Sequence, residues 1–299
     1  MVAIRGIASC LGNSIPTSSL IQDGIEPALV LQLAVKGTKS FRRSTETLFE
    51  MAMSTGLKSL KRADVTPASI DVLLFSSNSM GSAEFREDIS HRLLRALGLS
   101  EAYVHGVCFQ NCGDGILALR TAQALVASGQ AKRALVIFAD RVCDAGIPRI
   151  VKNAYIHSDG ASSCVVEVHA VGFQIGRCRI IHSQEEEIAD PFDIEVNLDG
   201  FARRAKAMFA GEDGRGIELL VTHNINQIFN HRMARIFGLP PGKIIGFEGE
   251  GHCLASDILI NLGSLEDSHG KRILVFAPTR RSYGVLELNP PVSKEAAHV

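Results

Sequence analysis

The sequence carries almost no net charge and has no long hydrophobic run. Its 31 basic residues nearly balance its 32 acidic residues, so there is no basic excess of the kind that nucleic-acid binding requires. Its apolar runs, such as residues 134–139 and 273–277, are far shorter than the roughly 20 residues of a membrane span. The sequence therefore predicts neither a nucleic-acid-binding protein nor a membrane-spanning one.

Closely spaced cysteine pairs are also lacking. The seven cysteines are scattered through the chain, at positions 10, 108, 112, 143, 164, 178 and 253. An odd, scattered set favours reduced intracellular thiols over a disulfide framework. A zinc site can be imagined only from Cys108, Cys112, His252 and Cys253. The spacing of these residues matches no known zinc motif. With no secretory signal at the N-terminus, we expect a cytoplasmic protein without a metal site.

Short apolar runs alternate with amphipathic stretches, as in α/β proteins. Buried strands are predicted over residues 2–11, 70–75, 132–140, 162–169, 217–222, 244–247 and 272–277. Helical spacing of apolar residues covers residues 44–61, 84–97, 200–210, 226–238 and 258–265, and the stretch that begins at Cys112. Residues 20–40 and 183–198 show no clear pattern, and we expect irregular structure there.

The two halves of the chain form a weak internal repeat. Residues 70–74 and residues 217–221 are similar apolar runs, and each is followed by similar segments in the same order. Gly98 and Gly238 are equivalent positions within these segments. Cys112 and His252 have the same separation as these two glycines. Because equivalent loops of a pseudo-symmetric pair meet near its axis, the repeat predicts that Cys112 and His252 face one site.

Cys112 stands where an irregular segment rich in Gly, Asn and Asp runs into an amphipathic helix. A helix start exposes backbone N–H groups and a positive dipole end, which favours ionisation of a thiol and makes it a nucleophile. Cysteine is also among the most buried residue types and can simply fill a gap in a core. On this residue alone, both interpretations stay open.

Four ordered motifs resemble those of the thiolase superfamily, and most closely those of the β-ketoacyl-acyl-carrier-protein synthase III-like condensing enzymes. They are the helix that starts at Cys112, residues 157–161 (family F-G-D-G-A), 222–226 (P-H-Q-A-N) and 251–256 (G-N-T-S-A-S). The resemblance covers almost the whole chain. It implies a thiolase-like five-layered αβαβα fold of the α/β class, with two pseudo-repeated halves, residues 1–170 carrying the cysteine and residues 171–299 carrying two histidines.

The same resemblance implies a set of site residues. The implied catalytic residues are Cys112, His223 and His252, and the implied supporting residues are Asn226, Asp159 and Gly251. The sequence departs from the family at His252, which replaces an Asn of the initiating enzymes. It also departs at Pro278, which has no N–H to offer in the loop that helps to form the family's oxyanion hole. There is no Trp for coenzyme A stacking.

The implied chemistry is acyl transfer through a covalent Cys112 thioester, because a thiolate attacks an acyl thioester and holds the acyl group. The substrate would be acyl-coenzyme A or a phosphopantetheinyl acyl carrier protein, with no permanently bound cofactor. Decarboxylative Claisen condensation with a malonyl-type thioester is the first expectation for the second step. The alternatives are ester or amide formation, or a catalytically weakened subunit that supports an active partner. The family implies a homodimer or a heterodimer with a homologous subunit.

Overall fold

The structure is a computed structural model that describes residues 1–86, 88–142, 146–151, 155–169, 171–182, 194–209, 216–246, 248–265, 270–279 and 282–290. The strands within these ranges are β1 (Val2–Leu11), β2 (Asn13–Pro16), β3 (Ser40–Arg43), β4 (Val72–Ser76), β5 (Tyr103–Val107), β6 (Arg133–Asp140), β7 (Ile150–Val151), β8 (Tyr155–Ile156), β9 (Gly160–Val168), β10 (Phe173–His182), β11 (Leu219–Thr222), β12 (Ile244–Ile245), β13 (Ile273–Pro278) and β14 (Ser282–Asn289).

The helices within the same ranges are α1 (Pro27–Val35), α2 (Leu48–Ala63), α3 (Ala83–Arg86), α4 (Ile89–Leu97), α5 (Asp114–Ala127), α6 (Ile194–Met208), α7 (Gln227–Phe237) and α8 (Asp257–Gly263). Two short 3₁₀ turns, Asn111–Gly113 and Leu254–Ser256, directly precede α5 and α8. Among the helices described, none combines the length and apolarity needed to cross a membrane.

Ten strands form one sheet in the order β12-β11-β13-β14-β10-β1-β9-β6-β4-β5. The order is mirrored about the contact between β1 and β10, where Ile4 is opposite Phe173. Moving outward from this contact, the pairings on either side are antiparallel, antiparallel, parallel and parallel. The repeat in the sequence is therefore a repeat of strand order, while the domain boundary at residue 170 stays a prediction.

The layers follow from the two-residue period of the strands. In β6, Val136 packs with α5 and α8 in the central core, whereas its neighbour Ile137 packs with α2 and α4. In β13, Val275 belongs to the same central core, and Phe276 packs with α6 and α7 on the opposite side. Strands buried on both faces read as continuous apolar runs. The succession of helices, strands, helices, strands and helices is the five-layered αβαβα arrangement predicted from the sequence.

The duplication extends to charged residues at equivalent strands. Each half has one buried glutamate paired with two arginines, and the two sets are Glu167 with Arg5 and Arg133, and Glu287 with Arg177 and Arg272. The glutamates lie on β9 and β14, which occupy matching places in the mirrored order. A buried carboxylate requires such partners because removing a charge from water is costly.

Several element predictions were wrong at their boundaries. Helix α2 begins after Thr47, which forms a capping box with Glu50, and not at Ser44, whose N–H donates to Asp159 instead. The single helix expected over residues 84–97 is interrupted at Asp88, a left-handed residue that caps α4. Helix α6 begins at Ile194, within a stretch that lacked a clear pattern.

The elements that were missed altogether are α1, β2, β3, β5, β7, β8, β10 and β14. Helix α1 buries only Val30 and Leu33, which leaves too few apolar residues for a visible period. Strand β10 has no buried side chain after residue 175, where half-buried and exposed residues alternate up to residue 180. Its register also shifts between Ile175 and Cys178, and such an irregularity breaks the two-residue pattern.

Candidate active site

Cys112 lies in the 3₁₀ turn between β5 and α5. The turn is backbone-strained, because Phe109 and Asn111 have φ values of 80° and 51°, which are costly for residues other than Gly. Cys112 is buried, with 8% of its surface exposed, and it packs against Val142 and Leu254. A strained turn ahead of a helix therefore holds the thiol against an apolar wall, and its role as a nucleophile stays a prediction.

His252 and Asp257 form a line of hydrogen bonds with Cys112. The Cys112 Sγ is 2.9 Å from His252 Nε2, and His252 Nδ1 is 2.5 Å from Asp257 Oδ2. Asp257 is completely buried, and its oxygens also accept from Cys253 N at 2.8 Å, Asn224 N at 2.7 Å and Asn224 Nδ2 at 3.1 Å. With so many donors, the carboxylate fixes the orientation of the imidazole, in the manner of a nucleophile, base and orienting acid.

The electrostatics of this line favour a charged imidazole. Burial opposes a charge on His252, but the neighbouring Cys112 and Asp257 outweigh it and raise the pKa of His252 above its ordinary value. Burial would raise the pKa of Asp257, yet His252 keeps the pKa of that carboxyl below its usual range. The arrangement therefore suits transfer of the thiol proton to His252, with the resulting imidazolium stabilised by Asp257.

The two halves contribute to this line from equivalent turns. Asp114 and Asp257 are the first residues of α5 and α8, and each directly follows a 3₁₀ turn. A Cβ on Gly115 would lie 2.8 Å from Ile258 Cδ1 and 3.1 Å from Ala255 O, so the two helix starts pack closely at this glycine. The internal repeat predicted that Cys112 and His252 occupy equivalent positions of the two halves, and this prediction was wrong. They meet because their turns lie side by side.

His223 completes the predicted catalytic set. It follows β11, is completely buried, and its ring centroid is 4.8 Å from that of His252. Among the described residues, neither ring nitrogen has a hydrogen-bond partner, and Nδ1 is 3.8 Å from Asp257 Oδ2. Burial and the nearby His252 lower the pKa of His223 to about 3. A neutral imidazole with both nitrogens unpaired has one donor and one acceptor available to a ligand.

Two of the predicted supporting residues hold the segments around the site. Asp159 accepts hydrogen bonds from Ser44 N at 2.9 Å and Val142 N at 3.1 Å, which fixes the loop behind Cys112. A Cβ on Gly251 would lie 2.7 Å from Ser158 Oγ, so Gly is required just before His252. Both residues shape the backbone and do not face the thiol.

Asn226 has a local role at the start of α7. Its Oδ1 accepts from Phe229 N at 2.8 Å and so caps the helix. The sequence interpretation expected Asn226 to support the loop of His223 through hydrogen bonds. The cap fixes the first turn of the helix that follows this loop, which is support of the backbone.

The loop expected near the oxyanion hole is a hairpin between β13 and β14. Pro278 ends β13, and the next backbone N–H, of Thr279, donates to Ser282 O at 2.7 Å. A Cβ on Gly113 would lie 3.1 Å from Thr279 Cγ2, so the hairpin packs on the turn of Cys112. The N–H that follows Pro278 is used within the hairpin.

Sequence reasoning missed Asp257, Tyr155 and His157 as residues of the site. Asp257 directly follows the motif at residues 251–256, and its match with Asp114 could have revealed it. The Tyr155 ring contacts the His252 ring edge-on, with centroids 5.2 Å apart. The His157 ring centroid lies 5.8 Å from that of His252. No spacing rule within the sequence brings these rings together.

His223, His252 and Asp257 are the described side chains that could together hold a metal ion, since their ligand atoms lie within 4.8 Å of one another. The His252 Nδ1 and Asp257 Oδ2 atoms are 2.5 Å apart. Two ligands of one tetrahedral zinc ion, each about 2.0–2.1 Å from the metal, are separated by about 3.3 Å. This pair is therefore arranged as a hydrogen bond.

Comparisons with known proteins agree with the motifs. Residues 109–184 match the family 3-oxoacyl-[acyl-carrier-protein] synthase III. The chain is 27% identical over 173 residues to the β-ketoacyl-[acyl-carrier-protein] synthase III 2 of Streptomyces avermitilis, a match that covers 58% of this chain and 54% of that protein. The match thus spans about half the length of this curated relative.

Solved structures cover nearly the whole chain. The 3-oxoacyl-[acyl-carrier-protein] synthase III of Aquifex aeolicus VF5 superposes with a TM-score of 0.80 at 19% identity, covering 97% of this chain and 100% of that one. A tetronic acid condensing enzyme superposes with a TM-score of 0.81 at 17% identity, with the same coverage of 97% and 100%. The chain has the thiolase fold, and its resemblance to the β-ketoacyl-acyl-carrier-protein synthase III-like enzymes is confirmed.

Proposed function

We propose that this chain is an acyltransferase that takes an acyl group from a thioester onto Cys112. The observation that carries the proposal is the 2.9 Å contact between Cys112 Sγ and His252 Nε2, with Asp257 behind the imidazole. His252 would take the thiol proton, and the thiolate would attack the acyl carbon. The proton would then pass to the departing thiol of coenzyme A or of the carrier protein.

The transition state of this step carries negative charge on the acyl oxygen. Cys112 lies at the start of a helix, where backbone N–H groups point toward such a charge. We propose the N–H of Cys112 as a donor to this oxyanion, worth about 3 kcal/mol by analogy with single donors removed elsewhere. Pro278 cannot donate, and the N–H of Thr279 donates to Ser282, so neither of these two residues supplies the second donor.

For the second step, we propose decarboxylative Claisen condensation with a malonyl-type thioester. Loss of carbon dioxide leaves an enolate whose oxygen needs hydrogen-bond donors. His223 is neutral and buried, and both ring nitrogens are unpaired within the part of the chain that the structure describes, so one N–H is available for that oxygen. The enolate carbon would attack the acyl carbon on Cys112, and the carbon–sulfur bond would break. The condensing enzymes among the similar proteins support this proposal.

A second candidate is transfer to a hydroxyl or an amine, which gives an ester or an amide. The observation that favours it is the bond between His252 Nδ1 and Asp257. Once Cys112 is acylated, this bond leaves the lone pair of Nε2 facing the thioester, where it can take a proton from an acceptor.

In either case we propose acyl-coenzyme A or an acyl carrier protein as donor, and a dimer as the active unit.

Intact-mass measurement after incubation with a panel of acyl thioesters tests the proposal. We expect the wild-type chain to gain one acyl group and Cys112→Ala to gain none. An equal gain in both proteins, or none in either, would contradict the role of Cys112. With the acyl-enzyme in hand, carbon dioxide release from a malonyl thioester separates condensation from ester or amide formation. Activity of the pure homodimer would exclude the role of a weakened subunit.

A further inference from the structure

His157 occupies the position of the phenylalanine in the family's F-G-D-G-A motif. Its backbone forms a parallel bridge with that of His252, with His252 N donating to Ile156 O and Ser158 N donating to His252 O, both at 2.8 Å. Residues paired in this way point to the same side of the ladder. The side chain of His157 therefore lies on the side of His252, next to the acyl site.

The hydrogen bonds of His157 determine which ring nitrogen carries the proton. Its Nδ1 is 2.8 Å from the carbonyl oxygen of Pro148, and a carbonyl can only accept, so Nδ1 carries the hydrogen. Burial and the adjacent His252 lower the pKa of His157 to about 4, so the ring is neutral near pH 7. In this tautomer, Nε2 is purely a hydrogen-bond acceptor.

This acceptor has no partner among the described residues, although the side chain is 94% removed from solvent, with 6% exposed. The Tyr155 ring packs edge-on against His157, with centroids 5.1 Å apart, and so holds the imidazole in place. An imidazole nitrogen that accepts and has no protein partner can bind a donor on a ligand, which a Phe at this position could not do. Such a group is useful where a ligand supplies the missing donor.

We propose that His157 Nε2 binds the acceptor substrate, and that this acceptor is an amine, one of whose two N–H bonds donates to it beside the Cys112 thioester. The inference rests on the proposed acyl transfer through Cys112 and favours its second form. The acceptor nitrogen attacks the acyl carbon, its second hydrogen passes as a proton to His252 Nε2, and the bond from the acyl carbon to Cys112 Sγ breaks. His252 then returns the proton to the thiolate, which restores the free enzyme.

The test separates loading of Cys112 from unloading. Wild type, His157→Phe, His157→Gln and His91→Phe are loaded with the same acyl-coenzyme A, and the loading rate is followed by intact mass. Each acyl-enzyme is then mixed with increasing concentrations of methoxyamine, a small neutral N–H donor, or of ethanethiol, a poor donor. His91 is a matched control because its side chain is 75% exposed.

We expect His157→Phe to load within about twofold of wild type but to show a KM for methoxyamine about tenfold higher, the effect of one lost hydrogen bond. Its kcat with methoxyamine and its rates with ethanethiol should change less than about threefold. His157→Gln, whose amide oxygen accepts, should recover most of the affinity. His91→Phe should behave as wild type.

Three results would overturn the inference: an unchanged KM for methoxyamine, equal losses with methoxyamine and ethanethiol, or slower loading, which would place the contact on the thioester donor. If His157→Phe does not fold, His157→Leu makes the same comparison. A wild type that gains no acyl group from any thioester would instead defeat the proposed function itself, and the inference with it. The two failures are therefore distinguishable.

Discussion

The turns that open α5 and α8 have the same backbone plan and opposite chemistry. Each begins with a left-handed residue, Asn111 with φ of 51° or Leu254 with φ of 53°, and each ends at an aspartate that starts the helix. Burial raises the pKa of Asp114 to about 6, whereas His252 keeps the pKa of Asp257 low despite complete burial.

The difference shows how a duplicated unit can divide one reaction. The first turn presents a thiol against an apolar wall, and its aspartate accepts from Gln110 N. The second turn presents the base, and its aspartate fixes that base. Since the two turns lie side by side in the central layer, neither half of the chain needs to supply the thiol, the base and the orienting carboxylate by itself.

The largest expected effect comes from removing the base. In His252→Ala, no side chain takes the thiol proton, and a positioned base contributes about 10²–10⁴-fold. We expect acylation of Cys112 to fall about 10³-fold in a stopped-flow assay of thiol release, with circular dichroism unchanged. His91→Ala serves as the control at an exposed histidine. A loss smaller than tenfold would mean that the second turn is not the source of the base.

The next effect separates the two histidines. His223→Phe removes the proposed donor to the enolate but leaves the line from Cys112 to Asp257 in place. We expect carbon dioxide release from a malonyl thioester to fall about 10²-fold, while acylation of Cys112 stays within about fivefold of wild type. Equal losses in both steps would show that His223 serves the thiol and not the second substrate.

The sequence could predict most parts of the site that lie inside motifs, although it gave no role to the side chain of His157, which opens one of them. Cys112, His223 and His252 each belong to a recognisable segment, and their order along the chain suffices to assign them. Asp257 lies one residue beyond its motif, and its carboxylate gains meaning only from the orientation of the His252 ring. Tyr155 depends on ring contacts across strands, which no periodicity encodes.

The fold was predictable for a similar reason. Strands β6 and β13 are buried on both faces and read as continuous apolar runs, so their sequences identify them. Strand β10 and helix α1 depend on partners elsewhere in the chain, and β10 contains an irregularity. Tertiary contacts, which a local pattern does not contain, decide such elements.

A smaller effect concerns stability in acid. His157 is neutral in the folded protein, with a pKa of about 4 against 6.5 in the unfolded chain, so the unfolded state takes up a proton first as the pH falls. Its contribution is fully present above about pH 6.5 and is lost toward pH 4. In urea titrations over this pH window, we expect the free energy of unfolding of His157→Phe to fall by roughly 2 kcal/mol less than that of wild type. If the free energies of unfolding of the two proteins fell in parallel as the pH is lowered, this effect of burying His157 would be contradicted.

The smallest effect tests the symmetry away from the site. Glu167→Gln and Glu287→Gln each remove the charge that two arginines share at equivalent strands. Because those arginines are partly exposed, we expect each change to lower the free energy of unfolding by only about 1–2 kcal/mol. Acylation should be unaffected. A difference of more than about 2 kcal/mol between the two variants would break the equivalence of the halves.

The central claim is that Asp257 drives the chemistry through His252, whereas its counterpart Asp114 only shapes a turn. The most direct measurement is the single-turnover rate of Cys112 acylation in Asp257→Asn and Asp114→Asn, which make the same chemical change at equivalent positions. We expect Asp257→Asn to be slower than wild type by about 10²-fold or more, as in other sites where the orienting carboxylate is removed. Asp114→Asn should stay within about threefold. Equal rates in the two variants would contradict the account.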